Sequence, residues 1–188
     1  VYCGIKQEGG RITRPEHTAR GDVLARALAF EMWPCMTSTM LIDATLIEQI
    51  LPFPDLPGGD DLDMMIKLAK LTNFDFVDAP LLVKRIQEGS RGHTTAAIEG
   101  RLEIIAAHES TYSRFPRKVR NQALARTYED WGRVMLLDKW WSARAIVAMT
   151  KQYYYSSWTD PTALAKFVAS LFGRPGFRVL GLFVGVMG

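Results

Sequence analysis

Along the first half of the chain short apolar runs alternate with turn signals, and along the second half apolar residues recur at helical spacing. Residues 1–5 read as a buried strand, and Gly9-Gly10 turns the chain into Arg11-Ile12-Thr13 as a hairpin partner. Val23, Leu24, Ala27 and Leu28 share one helical face behind Asp22, which is placed to cap it. Trp33-Pro34 breaks the pattern, and the apolar, β-branched run 36–42 predicts a strand. Asp43 then caps a helix carrying Leu46, Ile47 and Ile50. Three prolines and two glycines make residues 51–59 a loop. It opens into Asp60-Asp61-Leu62-Asp63 and a helix with Leu62, Met65, Ile66 and Ala69 on one side. Residues 74–77 and 81–86 predict two further strands, parted by Asp78-Ala79-Pro80.

From residue 94 onward the pattern predicts helices alone, over 94–111, 117–138, 140–155 and 160–172, with Pro116 and Asp160-Pro161 as punctuation. The expected organisation is an α/β part, 1–93, followed by an all-α helical extension, 94–188. Trp131-Gly132 and Trp140-Trp141 weakly resemble one helical-repeat hairpin, but a lone unit falls short of the three or so a stable array needs, so these residues read as core.

Charge follows the same division. Residues 1–100 hold 10 Lys/Arg against 14 Asp/Glu, and residues 101–188 hold 13 against 6. An acidic first half suits a site that handles protons or metal; a basic second half suits an anionic neighbour such as a membrane surface. The overall +3 is too small to imply nucleic acid. With 48% hydrophobic and 23% charged residues in 188, the composition excludes disordered and collagen-like classes. The two cysteines, Cys3 and Cys35, lack metal-ligand spacing and read as free core thiols. No signal peptide is evident, and no apolar run reaches the roughly 18 residues of a membrane span. The nearest, 177–187, is interrupted by Gly181 and Gly185. Its apolar residues Phe177, Leu180, Leu182 and Phe183, with Arg174 and Arg178, suit peripheral contact with a membrane. The expected location is cytoplasmic, with that contact at the inner face.

The chemistry concentrates between Thr37 and Ser90. Asp60, Asp61 and Asp63 stand at the mouth of a Gly/Pro loop and the start of a helix, where the helix dipole alone favours acidic residues. Two features point further. Adjacent carboxylates repel, which raises one of them toward the range of a general base. Pro57-Gly58-Gly59 also lets backbone come close to a bound ligand.

The segment 53–69, Phe-Pro-Asp-Leu-Pro-Gly-Gly-Asp-Asp-Leu-Asp-Met-Met-Ile-Lys-Leu-Ala, resembles the acceptor-side signature of family 2 glycosyltransferases. Thr37-Ser38-Thr39-Met40-Leu41-Ile42 resembles the family strand that precedes it, and Ala79-Pro80-Leu81-Leu82-Val83-Lys84-Arg85 the strand that follows. Three motifs in order, over about residues 34–90, are more specific than any one. The resemblance implies a GT-A fold, a Rossmann-like α/β domain that moves a sugar from a nucleotide-sugar donor to a glycan or lipid-linked acceptor with inversion. It implies Asp61 as the base, and Asp60, Gly58, Gly59, Thr37, Ser38 and Arg85 as substrate-binding residues, with Arg85 near the donor phosphates.

The resemblance also implies a divalent metal, Mg or Mn, held by an Asp-x-Asp motif. Asp61-Leu62-Asp63 has that spelling but lies in the acceptor segment, so no metal is assigned to it, and the ligands are expected outside this chain. A His that many members carry two residues after the arginine is Gln87 here, which leaves His93 as the candidate ligand. His17, in a polar loop, and His108, on a helix, show no partner spacing and take no role. A nucleotide-binding half of roughly 100 residues is expected ahead of Val1, so the chain alone is expected to be inactive. Two other readings compete: a non-catalytic module binding a partner protein or membrane face, and a metal-dependent phosphohydrolase built on Asp60, Asp61, Asp63 and His93.

Overall fold

The computed structural model describes residues 1–85, 94–157 and 159–184, apart from the side chains at 137–138 and 181–184. A small three-stranded sheet has the order β2-β1-β3, formed by β1 (Tyr2–Gln7), β2 (Ile12–Thr13) and β3 (Phe76–Lys84). β2 returns antiparallel to β1 across the turn that Gly9-Gly10 makes, with Gln7 N–H donating to Arg11 O at 2.8 Å. β3 lies parallel to β1. Between them run α1 (Leu24–Leu28), α2 (Ala44–Ile50) and α3 (Asp60–Ala69). The helical half comprises α4 (Thr95–Ala107), α5 (Glu109–Tyr112), α6 (Arg117–Asp138), α7 (Ala143–Tyr155), α8 (Pro161–Leu171) and α9 (Gly173–Val184). The layout is therefore α/β followed by helices, as the pattern predicts.

Local capping explains the helix starts. Asp43 accepts from Thr45 N–H at 2.9 Å, Thr94 from Ala97 N–H at 3.2 Å, and Asp160 from Thr162 N–H at 2.9 Å with Pro161 beginning the helix. Asp22 accepts from Leu24 N–H at 3.1 Å, one residue ahead of the cap position. α7 begins at 143 rather than 140, behind Ser142.

Three expectations are corrected. Residues 36–42 form no strand; Thr37–Thr39 is a single 3-10 turn, and Met40 joins the sheet through an isolated bridge to Tyr2. The cause is Thr39, whose buried hydroxyl accepts from Met36 N–H at 2.9 Å and reaches Pro34 O at 3.1 Å, a side-chain alternative to a ladder. The two strands expected at 74–77 and 81–86 are one strand, β3, running through Pro80. β3 is an edge strand, where a missing N–H can face away from the ladder, and its register against β1 shifts at Cys3, Gly4 and Ile5. The helix expected over 94–111 is broken at His108 into α4 and α5.

One hydrophobic core crosses the line at residue 93. Tyr2, Leu28, Met32, Ile66 and Leu68 lie in the same buried cluster as Ile104, Tyr112, Leu124 and Tyr128. Full burial of each such side chain stabilises by about 1.5–3 kcal/mol. Tyr112 Oη donates to Leu28 O at 2.6 Å, and Arg126 pairs with Glu31 at 2.9 Å. α7, α8 and α9 stack outward from α6, and Lys166 of α8 reaches Glu129 of α6 at 2.8 Å.

The loop before α3 is held against α4 by two glycines. A Cβ on Gly100 would run into the Gly58 carbonyl, and one on Gly58 would meet the Ala97 backbone at 2.8 Å. The three atoms nearest a Cβ on Gly132 of α6 would all belong to the Met149 side chain, its flexible methyl end closest. Both Gly100 and Gly132 sit inside helices, where alanine is intrinsically favoured by about 1 kcal/mol. Gly100→Ala is nevertheless expected to destabilise by about 1–3 kcal/mol, because the obstacle is backbone. Gly132→Ala is expected to stay near neutral. Denaturant midpoints of the two variants check this; equal values would refute the distinction.

Candidate functional site

The first turn of α3 opens into a cleft of about 450 Å³. Its walls come from the segment after α1 (Phe30, Met32, Trp33, Cys35, Met36), the start of α3, Lys84 at the end of β3, and the facing sides of α4 and α6. Gly59 turns the chain into α3 with φ 87°, a left-handed conformation that favours glycine. That turn presents Asp61 to the cleft.

The cleft is charged. Arg101 pairs with Asp130, Arg133 with Glu129 at 2.7 Å, and Arg126 with Glu31 on its rim. Lys84 lies over the Trp33 ring, 4.7 Å from its centroid. Asp61 is half-buried and accepts from Leu62 N–H at 3.0 Å. It is the cleft carboxylate without an ion-pair partner among the described residues, while Glu129 and Asp130 are each committed to cations. Burial pushes the neighbouring Cys35 thiol up to about 12; the N-terminal ammonium pulls against this and the Asp61 charge adds to it. Cys35 is therefore a protonated thiol at neutral pH, and both cysteines are free and buried as expected.

Phe30 also borders the cleft, with φ 57°, unusual for a non-glycine residue. It closes α1: Phe30 N–H donates to Ala27 O at 3.1 Å and Glu31 N–H to Arg26 O at 2.9 Å, the paired bonds of a Schellman cap. Phe30 is retained there because its ring packs on the shared core.

Of the residues singled out by sequence, the structure brings Asp61 and Gly59 to the cleft. Asp60 lies exposed beside it on α3. Thr37 and Ser38 are exposed on the 3-10 turn, directly after Met36 of the wall, and Arg85 is exposed just past Lys84. Gly58 faces α4 and serves packing. His93 and Gln87 lie outside the described residues.

Asp63 takes the opposite direction from Asp61. It is 3% exposed and joins a buried network. Oδ1 lies 2.8 Å from His108 Nε2, Oδ2 lies 2.8 Å from Lys67 Nζ, and His108 Nδ1 is 3.0 Å from Lys70 Nζ. An ammonium has only protons to give, so Nδ1 accepts from Lys70 and Nε2 carries the proton it donates to Asp63. Burial pushes the Asp63 carboxyl up, but hydrogen bonds from His108 and Lys67 and the Lys67 charge outweigh it and hold the group below its ordinary value. Burial lowers the Lys70 ammonium, against the pull of Asp63. His108, assigned no role from sequence, is thus the buried link between α3 and the α4–α5 junction.

This geometry bears on metal chemistry. Asp63 is committed to His108 and Lys67, so Asp61-x-Asp63 does not present two carboxylates to one cation. Of the cleft carboxylates Glu129 and Asp130 are paired with arginines, which leaves Asp61 among Lys84, Arg101, Arg126 and Arg133, a poor donor set for a hard divalent ion. No cluster of three or more candidate ligands occurs among the described residues.

Sequence reading missed Arg101, Arg126 and Arg133, which were assigned to the extension. One signal was available: Arg126, Glu129, Asp130 and Arg133 fall at i, i+3, i+4 and i+7, a single face of α6. Among the described residues no helix is long and apolar enough to cross a membrane. Comparison with protein-family models, curated proteins and solved structures returns no match.

Proposed function

We propose that the protein is an inverting glycosyltransferase with a GT-A-type, Rossmann-like α/β domain, in which Asp61 is the general base. The observation that carries the reading is Asp61 itself, a half-buried carboxylate without an ion-pair partner among the described residues, at the mouth of a cleft whose two other carboxylates, Glu129 and Asp130, are each held in ion pairs. The motif resemblance over residues 34–90 supports the same residue in the same role.

In this mechanism an acceptor hydroxyl enters the cleft beside Gly59. Asp61 takes its proton as the oxygen attacks the anomeric carbon of the donor. The bond from that carbon to the diphosphate breaks, the electron pair leaves with the nucleoside diphosphate, and the configuration inverts. Lys84 and Arg85, at the end of β3, are positioned to offset the charge of the leaving group. Asp60, Thr37 and Ser38 border the acceptor side. A divalent metal belongs to this chemistry in the family, but the described cleft does not supply its ligands, and no step here depends on it. A glycan or lipid-linked hydroxyl is the acceptor class.

The test is sugar transfer by the natural full-length protein, supplied with labelled nucleotide sugars and a lipid or glycan acceptor extract. Asp61→Asn is expected to abolish product while leaving nucleotide-sugar binding nearly intact. Full activity in that variant overturns the assignment.

A further inference from the structure

The outermost helices carry an apolar face. Leu164, Val168 and Phe172 repeat along one side of α8 and its end, with Val168 44% and Phe172 66% exposed. Across the turn, Pro175, Val179 and Leu180 of α9 complete a shallow groove with them. The turn itself is fixed. Gly173 takes φ 65°, Arg174 N–H donates to Trp140 O at 2.8 Å, and Trp141 Nε1–H donates to Leu171 O at 3.1 Å. These bonds hold Trp140 and Trp141 against the end of α8, 70% and 51% exposed and so not the core residues the sequence suggests.

The charge carried by the hairpin itself has one sign, with Asp160 capping the start of α8 just ahead of it. Residues 161–184 contain no Asp or Glu, and their cations are Lys166, Arg174 and Arg178. Lys166 is turned inward onto Glu129, whereas Arg174 and Arg178 are exposed. Exposed aliphatic and aromatic side chains, paired tryptophans and two exposed arginines at the α8–α9 turn, the end of the hairpin away from Asp160, make a surface complementary to an anionic lipid bilayer. The apolar side chains would enter the acyl boundary, the indoles the headgroup level, and the guanidinium groups would meet lipid phosphates.

We propose that the α8–α9 hairpin, with Trp140 and Trp141, is a peripheral docking surface for anionic membrane. It stands independently of the glycosyl-transfer reading, since it uses neither the cleft nor Asp61. It differs from the terminal apolar run that sequence suggested: the side chains of Leu182 and Phe183 lie outside those described, and the surface rests on α8, the α8–α9 turn and the first two turns of α9.

Flotation of the purified full-length protein with vesicles tests it, using equal parts phosphatidylglycerol and phosphatidylcholine against phosphatidylcholine alone. The protein is expected to float with the anionic vesicles at low salt and to be released as salt rises. Val168→Asp with Phe172→Asp is expected to cut the bound fraction at least about tenfold, at exposed positions where the fold tolerates charge. Arg174→Glu with Arg178→Glu is expected to do the same, about tenfold or more. Melting temperatures of all variants confirm folding. No flotation at low salt overturns the proposal, as does binding that ignores the Val168 and Phe172 changes. A dimer in sedimentation equilibrium that Phe172→Asp dissociates, without vesicle binding by the parent, also overturns it and assigns the face to a second copy.

Discussion

Replacing Asp63 by alanine is expected to destabilise the protein by about 3 kcal/mol, the lower end of what breaking a buried ion pair costs, since Lys67 keeps some access to water. At about 2–4 °C per kcal/mol for a chain this size, the melting temperature falls by about 10 °C. The loss arises because His108, 6% exposed, keeps an Nε2 proton with no acceptor, and Lys67 loses its counter-charge. The pH dependence follows from the direction of the Asp63 shift. Its carboxyl is held below the ordinary 3.8, so the folded state binds fewer protons there than the unfolded state. Its contribution is fully present above that value and is lost as pH falls through the folded value. The gap between parent and variant should be flat from neutral down to about pH 5 and close in more acid solution. Guanidinium titrations at several pH values measure it. A gap below 1 kcal/mol at pH 7 would sink the structural role given to this network.

Two residues earlier the expected effect is on rate, not on folding. Asp61→Asn keeps the size of the side chain and the oxygen that accepts from Leu62 N–H, but the amide cannot take a proton. Removal of a general base costs roughly two to four orders of magnitude in turnover. Stability should change by no more than about 0.5 kcal/mol, because Asp61 is half-exposed and makes no ion pair among the described residues. The two aspartates therefore separate cleanly: one variant melts early, the other melts normally and transfers sugar at least about a hundredfold more slowly. Nucleotide-sugar affinity, read by calorimetry in the full-length protein, should be nearly the same in parent and Asp61→Asn. A matching loss of affinity would place Asp61 in donor binding instead of catalysis.

That division was only partly legible beforehand. Features set by near neighbours could be read: the caps at Asp43 and Asp160-Pro161, the Gly/Pro loop, the apolar stripe of α3. Asp61 was legible because loop, helix start and acid lie within a few positions. Asp63 was not distinguishable from it, since its fate is decided by His108, 45 positions away, which no local pattern announces. The run 36–42 carries strand-forming residues, yet one hydroxyl, that of Thr39, turns it into a 3-10 bend. Pro80 reads as a strand break, and only the edge position of β3 makes it tolerable. The ion-paired wall that α4 and α6 give the cleft was hidden by the charge division at residue 93, which reflects composition and not contact.

The core shared across that division also has a consequence for biosynthesis. The cluster that holds Tyr2, Leu28 and Met32 is complete only when Ile104, Tyr112, Leu124 and Tyr128 have been made, and the clamps from Tyr112 to Leu28 and from Arg126 to Glu31 span 84 and 95 positions. At ~5–20 residues per second, on the order of 10 s separates the emergence of Tyr2 from that of Tyr128. During that interval the nascent chain carries bare apolar surface, and until β3 is made one edge of β1 stays open although β2 pairs the other. Yield in a cell is then governed less by the final stability than by how well the half-made chain is shielded before α6 leaves the ribosome.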